Sequence, residues 1–117
     1  MKIDLHGYHP TDLHEHDVLH RAIEQVWEMG EEEVCLVHGH GRNRGISPGF
    51  VNTNTGYLGL CVRRSLRNDP ELRQWIKIST LSCKETGATT VQLKRNPHPT
   101  RVSFDNSLLG PRTFGRR

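Results

Sequence analysis

The segment Val-Cys-Leu-Val-His-Gly at positions 34–39 decides the fold of this 117-residue chain. Its four apolar residues follow one another without a break, which is typical of a central strand with both faces buried. A second strand with the same ending, Lys-Ile-Asp-Leu-His-Gly, occupies positions 2–7. Between the two, apolar residues recur at helical spacing, which predicts one amphipathic helix capped by Asp12 and stopped at Gly30. Strand, helix and strand therefore form a βαβ unit with parallel strands.

The rest of the chain extends this unit. A second apolar stripe predicts a helix that ends at Asp69, and residues 75–78 and 89–94 predict two further strands. Glycine and small polar residues dominate positions 39–56, which predicts a long loop, and long loops within a domain are often functional. Residues 96–117 are rich in proline, glycine and arginine without periodicity, which predicts a flexible basic tail.

Charge is distributed unevenly along the chain. The net charge is only +3, but residues 1–33 carry −7, whereas residues 34–67 carry five arginines and no acid. An acid-free stretch of this kind favours a polyanionic partner such as nucleic acid. No apolar run is long enough to cross a membrane, and the three cysteines form no CxxC pair. We expect a cytoplasmic protein with reduced thiols and no membrane association, and the sequence leaves its oligomeric state open.

Two His-Gly dipeptides follow the two predicted parallel strands. The carboxyl ends of parallel strands lie at one edge of the sheet, where ligands of α/β sheets bind, so Asp4, His6 and His38 are expected to converge there. Histidine supplies an acid or base near neutral pH. Asp4 has three open roles: orienting a histidine, holding a divalent cation such as Mg²⁺, or activating a nucleophile. The structural alternative is that Asp4 bonds nearby backbone and that a histidine caps buried groups.

Features suited to phosphate binding follow the second dipeptide. Glycines allow close backbone approach, arginines add positive charge, and the next helix offers unpaired N–H groups at its start. The residues concerned are Gly39, His40, Gly41, Arg42 and Arg44.

The histidines of the first helix predict no metal site. His16 and His20 are four residues apart, but no glutamate completes an H-E-x-x-H frame, and the surrounding helix is acidic. The sequence identifies no definite cofactor for the sheet edge and leaves both metal-free and Mg²⁺-assisted chemistry open.

Five motifs in order resemble the Smr (small MutS-related) domain family. They match its opening L-D-L-H-G, its H-G-x-G, the G-x-L start of its second helix, its H-P-x-V step and its closing G-A-T-x-V-x-L strand. In this sequence they occupy positions 3–8, 37–41, 56–58, 69–76 and 87–93. The resemblance covers residues 1–95, which we take as the domain, with residues 42–55 as an inserted loop.

The resemblance implies a two-layer βαβαββ sandwich, with a mixed four-stranded sheet and two helices. It also implies binding of RNA or DNA, often with endonuclease activity. Carried over residue by residue, the implied functional positions are Asp4, His6, His38, Gly39 and Gly41, with Gly87 and Thr89 beside them.

Two departures from the family pattern affect this expectation. The loop over residues 42–55 has little counterpart in the family, and Gly59 stands where the family often has an arginine near the ligand. One of three other arginines would replace it, either Arg63 or, in the loop, Arg42 or Arg44. The leading hypothesis is an endonuclease that cleaves RNA or nicks DNA, with RNA favoured because stand-alone family members more often resemble RNA enzymes. The alternatives are a non-catalytic nucleic-acid-binding module and a histidine-rich metal-binding protein.

Overall fold

The computed structural model describes residues 1–39 and 56–110. Its strands are β1 (Lys2–Asp4), β2 (Glu33–Val37), β3 (Ile76–Ser82) and β4 (Ala88–Leu93). Its helices are α1 (Pro10–Glu15), α2 (Val18–Glu28) and α3 (Tyr57–Asn68), with short 3-10 turns at Leu72–Gln74 and Asn106–Leu109. The predicted α/β class is confirmed.

The four strands form one mixed sheet in the order β1-β2-β4-β3. β1 and β2 are parallel, as predicted, and β4 is antiparallel to both of its neighbours. The prediction that β2 is buried on both faces is wrong. Val34 and Leu36 are fully buried, whereas Cys35 and Val37 are only half-buried. The alternation shows that the helices cover one face of the sheet, and the described residues leave the other face open.

The prediction of a single first helix is also wrong, because α1 and α2 are separate helices. The chain breaks at Asp17, whose φ of 51° is left-handed and cannot continue an α-helix. Asp12 is not the N-cap: His9 caps α1, and the Asp12 carboxylate accepts the His9 N–H at 2.9 Å to complete a capping box. The two-helix expectation thus becomes three helices in the described part of the chain.

The core lies between the sheet and the three helices. Ile3, Leu36 and Val91 contribute from the sheet, and Ile23 and Leu66 from the helices, each at most 2% exposed. Burying a side chain of this size contributes about 1.5–3 kcal/mol, so the packing of one face largely defines the domain. Within the described residues, no helix has the length and apolar character needed to span a membrane.

Residues 96–110 pack along the outer side of α2. The Gln25 side chain exchanges two hydrogen bonds with the Asp105 backbone, at 2.8 and 3.1 Å. Leu109 is 1% exposed, and the Tyr8 hydroxyl donates to the Gly110 carbonyl at 2.8 Å. Most of the predicted flexible tail therefore contacts the domain in this structure, while residues 111–117 lie outside the described part of the chain.

Candidate functional site

Three chain segments meet at the carboxyl end of the parallel strands. Asp4 pairs with Val37, and the Leu5 N–H donates to the Val37 carbonyl at 2.7 Å, so β1 and β2 end together. At the start of β4, the Gly87 carbonyl accepts the N–H groups of His38 and Gly39, at 3.1 and 3.0 Å. The structure therefore has the edge predicted from the paired dipeptides, and the hydrogen bonds to Gly87 hold the His38-Gly39 dipeptide in place.

The ring of His6 lies directly against the backbone of Gly39. A Cβ built on Gly39 would lie 2.9 Å from Cδ2 of His6, which is closer than real Cβ atoms come to other atoms. Gly39 also has a φ of +80°, in the region that favours glycine. The left-handed φ is the main reason for glycine here, because the exposed ring of His6 could shift to make room for a Cβ. The arrangement holds the imidazole of His6 against the second strand end, while the side chain stays exposed.

Asp4 lies next to His6 on the open face of the sheet. Its carboxylate oxygen Oδ1 accepts the backbone N–H of His6 at 2.8 Å. The strand register places Asp4 beside Val37 and on the same face as Lys2, away from the helices. The hydrogen bond matches the structural alternative for Asp4, since the carboxylate stabilises the turn that carries His6.

His38 occupies the opposite, helix-covered face. It is 2% exposed, and its Nε2 lies 2.9 Å from the hydroxyl of Thr89, a residue that pairs with the buried Leu36. Its Nδ1 lies 3.1 Å from the Gly39 carbonyl, which can only accept. Nδ1 therefore carries the proton, and in the neutral ring Nε2 accepts from the threonine hydroxyl.

Arg63 completes this buried network. Its Nε donates to the Thr89 hydroxyl at 2.8 Å, and a terminal nitrogen donates to the carbonyls of Glu85, at 2.6 Å, and Ala88, at 3.1 Å. The side chain is 8% exposed. The hydrogen bonds run in one direction, from Arg63 to Thr89 to His38. They connect α3 to the start of β4 and to the loop before it.

The candidate residues therefore form two groups rather than one. Asp4, His6 and Gly39 surround the exposed end of the sheet, whereas His38, Thr89 and Arg63 form a network beneath it. Gly39 connects the two groups, because it contacts the ring of His6 and its carbonyl bonds His38. The other candidates, His40, Gly41, Arg42 and Arg44, lie outside the described residues.

Two lysines near this edge were not among the predicted site residues. Lys2 and Lys84 line an open cavity of about 630 Å³ that also includes Val37, Gly39 and Gly87. Both lysines are exposed, and the cavity lies over the open face of the sheet. Lys2 could have been predicted from strand alternation, because it lies two residues before Asp4 on β1 and therefore on the same face of the sheet. The position of Lys84 depends on the conformation of the loop between β3 and β4, which the sequence does not reveal.

The fold and the site define a class of small α/β modules with histidines at the carboxyl edge of the parallel strands. The sequence pattern of the Smr domain matches residues 3–94, so the chain belongs to the Smr domain family. This family membership makes the protein a nucleic-acid-binding, nuclease-like module. Neither the curated proteins nor the solved structures include a significant match to this chain.

Proposed function

We propose that this protein is an endonuclease that cleaves RNA at the sheet edge around His6. The observation that carries the proposal is the position of the His6 imidazole: exposed, held against Gly39 and adjacent to the Asp4 carboxylate. A solvent-accessible imidazole can take a proton from an attacking oxygen or give one to a leaving oxygen. His38 is less suited to that task, since both of its ring nitrogens already have partners.

The surroundings of His6 suit a phosphodiester substrate. Lys2 and Lys84 line the cavity beside Gly39, together with one acid, Glu85, and supply two positive charges in the described part of the chain. Arg42 and Arg44, which lie outside that part, would add to it. Independently of His6, the exposed Tyr57 at the start of α3 offers an aromatic face for an unpaired base, a mode of contact typical of single-stranded RNA.

In this scheme the residues have distinct roles. His6 transfers the proton, and Asp4 orients it through the turn between them. His38, Thr89 and Arg63 are positioning residues that fix Gly39 beneath the imidazole. Mg²⁺ prefers carboxylate oxygens, so Asp4 is the exposed side chain that would hold this ion at the edge and help neutralise phosphate charge.

A cleavage assay with matched histidine variants tests the proposal. An end-labelled RNA hairpin and its DNA counterpart are incubated with the wild type, His6→Asn and His14→Asn, with and without a chelator. His14 is an exposed histidine of α1, a different element from the strand end that carries His6, and serves as the control. We expect His6→Asn to slow RNA cleavage by about 10²- to 10⁴-fold and His14→Asn to change it by less than about threefold. Equal rates for the two variants would refute the role of His6, and loss of cleavage in chelator would show the need for a metal.

A non-catalytic binding module is the second candidate. It is favoured by the intramolecular hydrogen bonds that already engage Asp4 Oδ1 and both nitrogens of His38. Tight RNA binding by the wild type without any cleavage, under both metal conditions, would decide for this function.

A further inference from the structure

A cluster of metal-ligating side chains lies in the helical layer, apart from the residues of the proposed site. Nε2 of His20 lies 2.7 Å from Oδ2 of Asp69 and 3.3 Å from Oε2 of Glu71. One ligand atom from each residue lies within 4.8 Å of the other two. His20 belongs to α2, whereas Asp69 and Glu71 belong to the connection between α3 and β3. We infer that His20, Asp69 and Glu71 form a Zn²⁺ site that joins these two parts of the fold.

The state of the imidazole points to a ligand. Both ring nitrogens of His20 are shielded from solvent, and neither has a hydrogen-bond partner among the described residues. The Asp69 oxygen is close to Nε2, but it does not lie where an N–H group would donate to it. Buried polar atoms in native proteins almost always have hydrogen-bond partners, and the contact with Asp69 is an ion pair only when the ring is protonated, so a neutral ring requires another explanation. A metal ion bonded to Nε2 supplies one.

The two carboxylates are oriented for this role. Oδ1 of Asp69 accepts the backbone N–H of Glu71 at 2.9 Å, which holds the other oxygen, Oδ2, towards His20. Around tetrahedral zinc with bonds of about 2.1 Å, neighbouring ligand atoms are about 3.4 Å apart. The separation of 3.3 Å to Glu71 fits this geometry, and Asp69 must move outward by about 0.7 Å from its 2.7 Å contact. Two carboxylates and a neutral imidazole also balance the charge of a divalent ion.

The other ring nitrogen has a carboxylate nearby. Oδ1 of Asp17 lies 4.0 Å from Nδ1 of His20, where it would tighten onto the N–H of a metal-bound imidazole. Asp17 occupies the N-cap position of α2, yet its side chain makes no capping hydrogen bond. It also has a left-handed backbone, with a φ of 51°. The strained residue thus places its carboxylate near the histidine rather than on the helix end.

Access and ion choice are consistent with zinc. An open cavity of about 490 Å³ reaches the cluster and includes His20 and Glu71 in its lining. Arg21 and Arg101 also line it, but a guanidinium nitrogen of each donates elsewhere, to the Leu108 carbonyl and to Glu28. A ligand set of one imidazole and two carboxylates favours zinc over the hard cations Mg²⁺ and Ca²⁺, which take oxygen ligands. Water would complete the fourth position.

Calorimetric titration of the full chain with Zn²⁺, after removal of metal by a chelator, tests the site. We expect one tight ion per chain in the wild type, loss of that event in His20→Gln, and about 10-fold weaker binding in Asp17→Asn. His16→Gln is the matched control, because His16 is an exposed histidine four residues before His20, at the C-cap of α1. It should bind zinc as the wild type does. Zinc should also raise the melting temperature of the wild type but not that of His20→Gln.

A second variant and a spectroscopic signal separate ligand loss from misfolding. Glu71 is 71% exposed, so Glu71→Gln should fold normally, which circular dichroism checks, and yet bind zinc more weakly. Co²⁺ in place of zinc should give tetrahedral visible absorption in the wild type and lose it in Glu71→Gln. Unchanged zinc affinity in both His20→Gln and Glu71→Gln would overturn the site. Equal loss in His16→Gln and His20→Gln would assign binding to that histidine pair instead.

Discussion

Replacing Thr89 by valine tests the buried network under the sheet edge. Thr89 has no exposed surface, and its hydroxyl receives the Arg63 Nε–H at 2.8 Å while lying 2.9 Å from Nε2 of His38. Valine keeps the size and the β-branched shape of threonine, and so it suits strand β4 equally well. The substitution therefore removes the hydroxyl alone, and with it the hydrogen-bond partner that Thr89 gives to Arg63 Nε and to His38 Nε2.

The expected loss of stability follows from these two hydrogen bonds. A hydrogen bond to a charged group contributes about 1.5–3 kcal/mol and one between neutral groups about 0.5–1.5 kcal/mol. Thr89→Val should therefore lower the free energy of unfolding by about 2–4 kcal/mol, a large share of the roughly 5–15 kcal/mol that holds a typical domain folded.

Urea unfolding followed by circular dichroism measures this loss. Thr90→Val is the matched control, because Thr90 pairs with Cys35 on the open face and is only half-buried. We expect the control to change stability by at most about 0.5 kcal/mol. If Thr89→Val proved as stable as Thr90→Val, the hydroxyl would not link Arg63 to His38, and the positioning role of the network would be refuted.

The remaining predictions concern binding, the glycine at the edge and one half-buried thiol. RNA affinity, measured by fluorescence anisotropy, should fall with salt by a slope of about −0.7 for each phosphate contact, and a flat dependence would argue against phosphate binding. Gly39→Ala should cost about 1–2 kcal/mol of stability through its φ of +80° and should displace His6. Gly110 has a φ of +84° and a ψ of 177°, a region open essentially only to glycine, and nothing lies near its Cβ, so Gly110→Ala should cost about 1–3 kcal/mol without loss of cleavage. Burial raises the pKa of the Cys61 thiol, so the folded state holds this proton more tightly than the unfolded chain does. Its contribution to stability should be present at neutral pH and lost as pH rises through the folded pKa. Urea unfolding should therefore show that the free energy of unfolding falls less steeply with rising alkaline pH in Cys61→Ala than in the wild type.

Much of the fold could be predicted because its pattern is local. The apolar runs of β1 and β2 and the stripes of α2 and α3 each lie within a short window of sequence, and the structure has all four elements. The break between α1 and α2 had a weaker signal. The stripe that includes Leu19 does not extend back to Glu15 or His16, and Leu13 lies off its register. Asp17 lies between the two helical patterns, and aspartate tolerates the left-handed αL conformation that ends the first helix there.

Contacts between distant segments were the part that the sequence did not reveal. Residues 96–110 lack a periodic apolar pattern, because they pack through single anchors such as Leu109 and through backbone hydrogen bonds to Gln25. The cluster of His20 with Asp69 and Glu71 joins residues about fifty positions apart, and spacing within one helix could not identify it. Such contacts depend on tertiary packing, which local periodicity does not encode.

The two His-Gly dipeptides have the same sequence, but the strand register places their histidines on opposite faces of the sheet. The two histidines therefore have different roles. His6 follows Asp4 by two residues on the exposed side of β1, whereas His38 follows the fully buried Leu36 by two residues on the helix side of β2. One imidazole is therefore available to a substrate, and the other is held by Thr89 and by the Gly39 carbonyl. Because the ring of His6 lies on that same glycine, any change that loosens the buried network should reach the exposed histidine through the backbone. Stability and cleavage are thus expected to be coupled here, even for residues that contact no substrate.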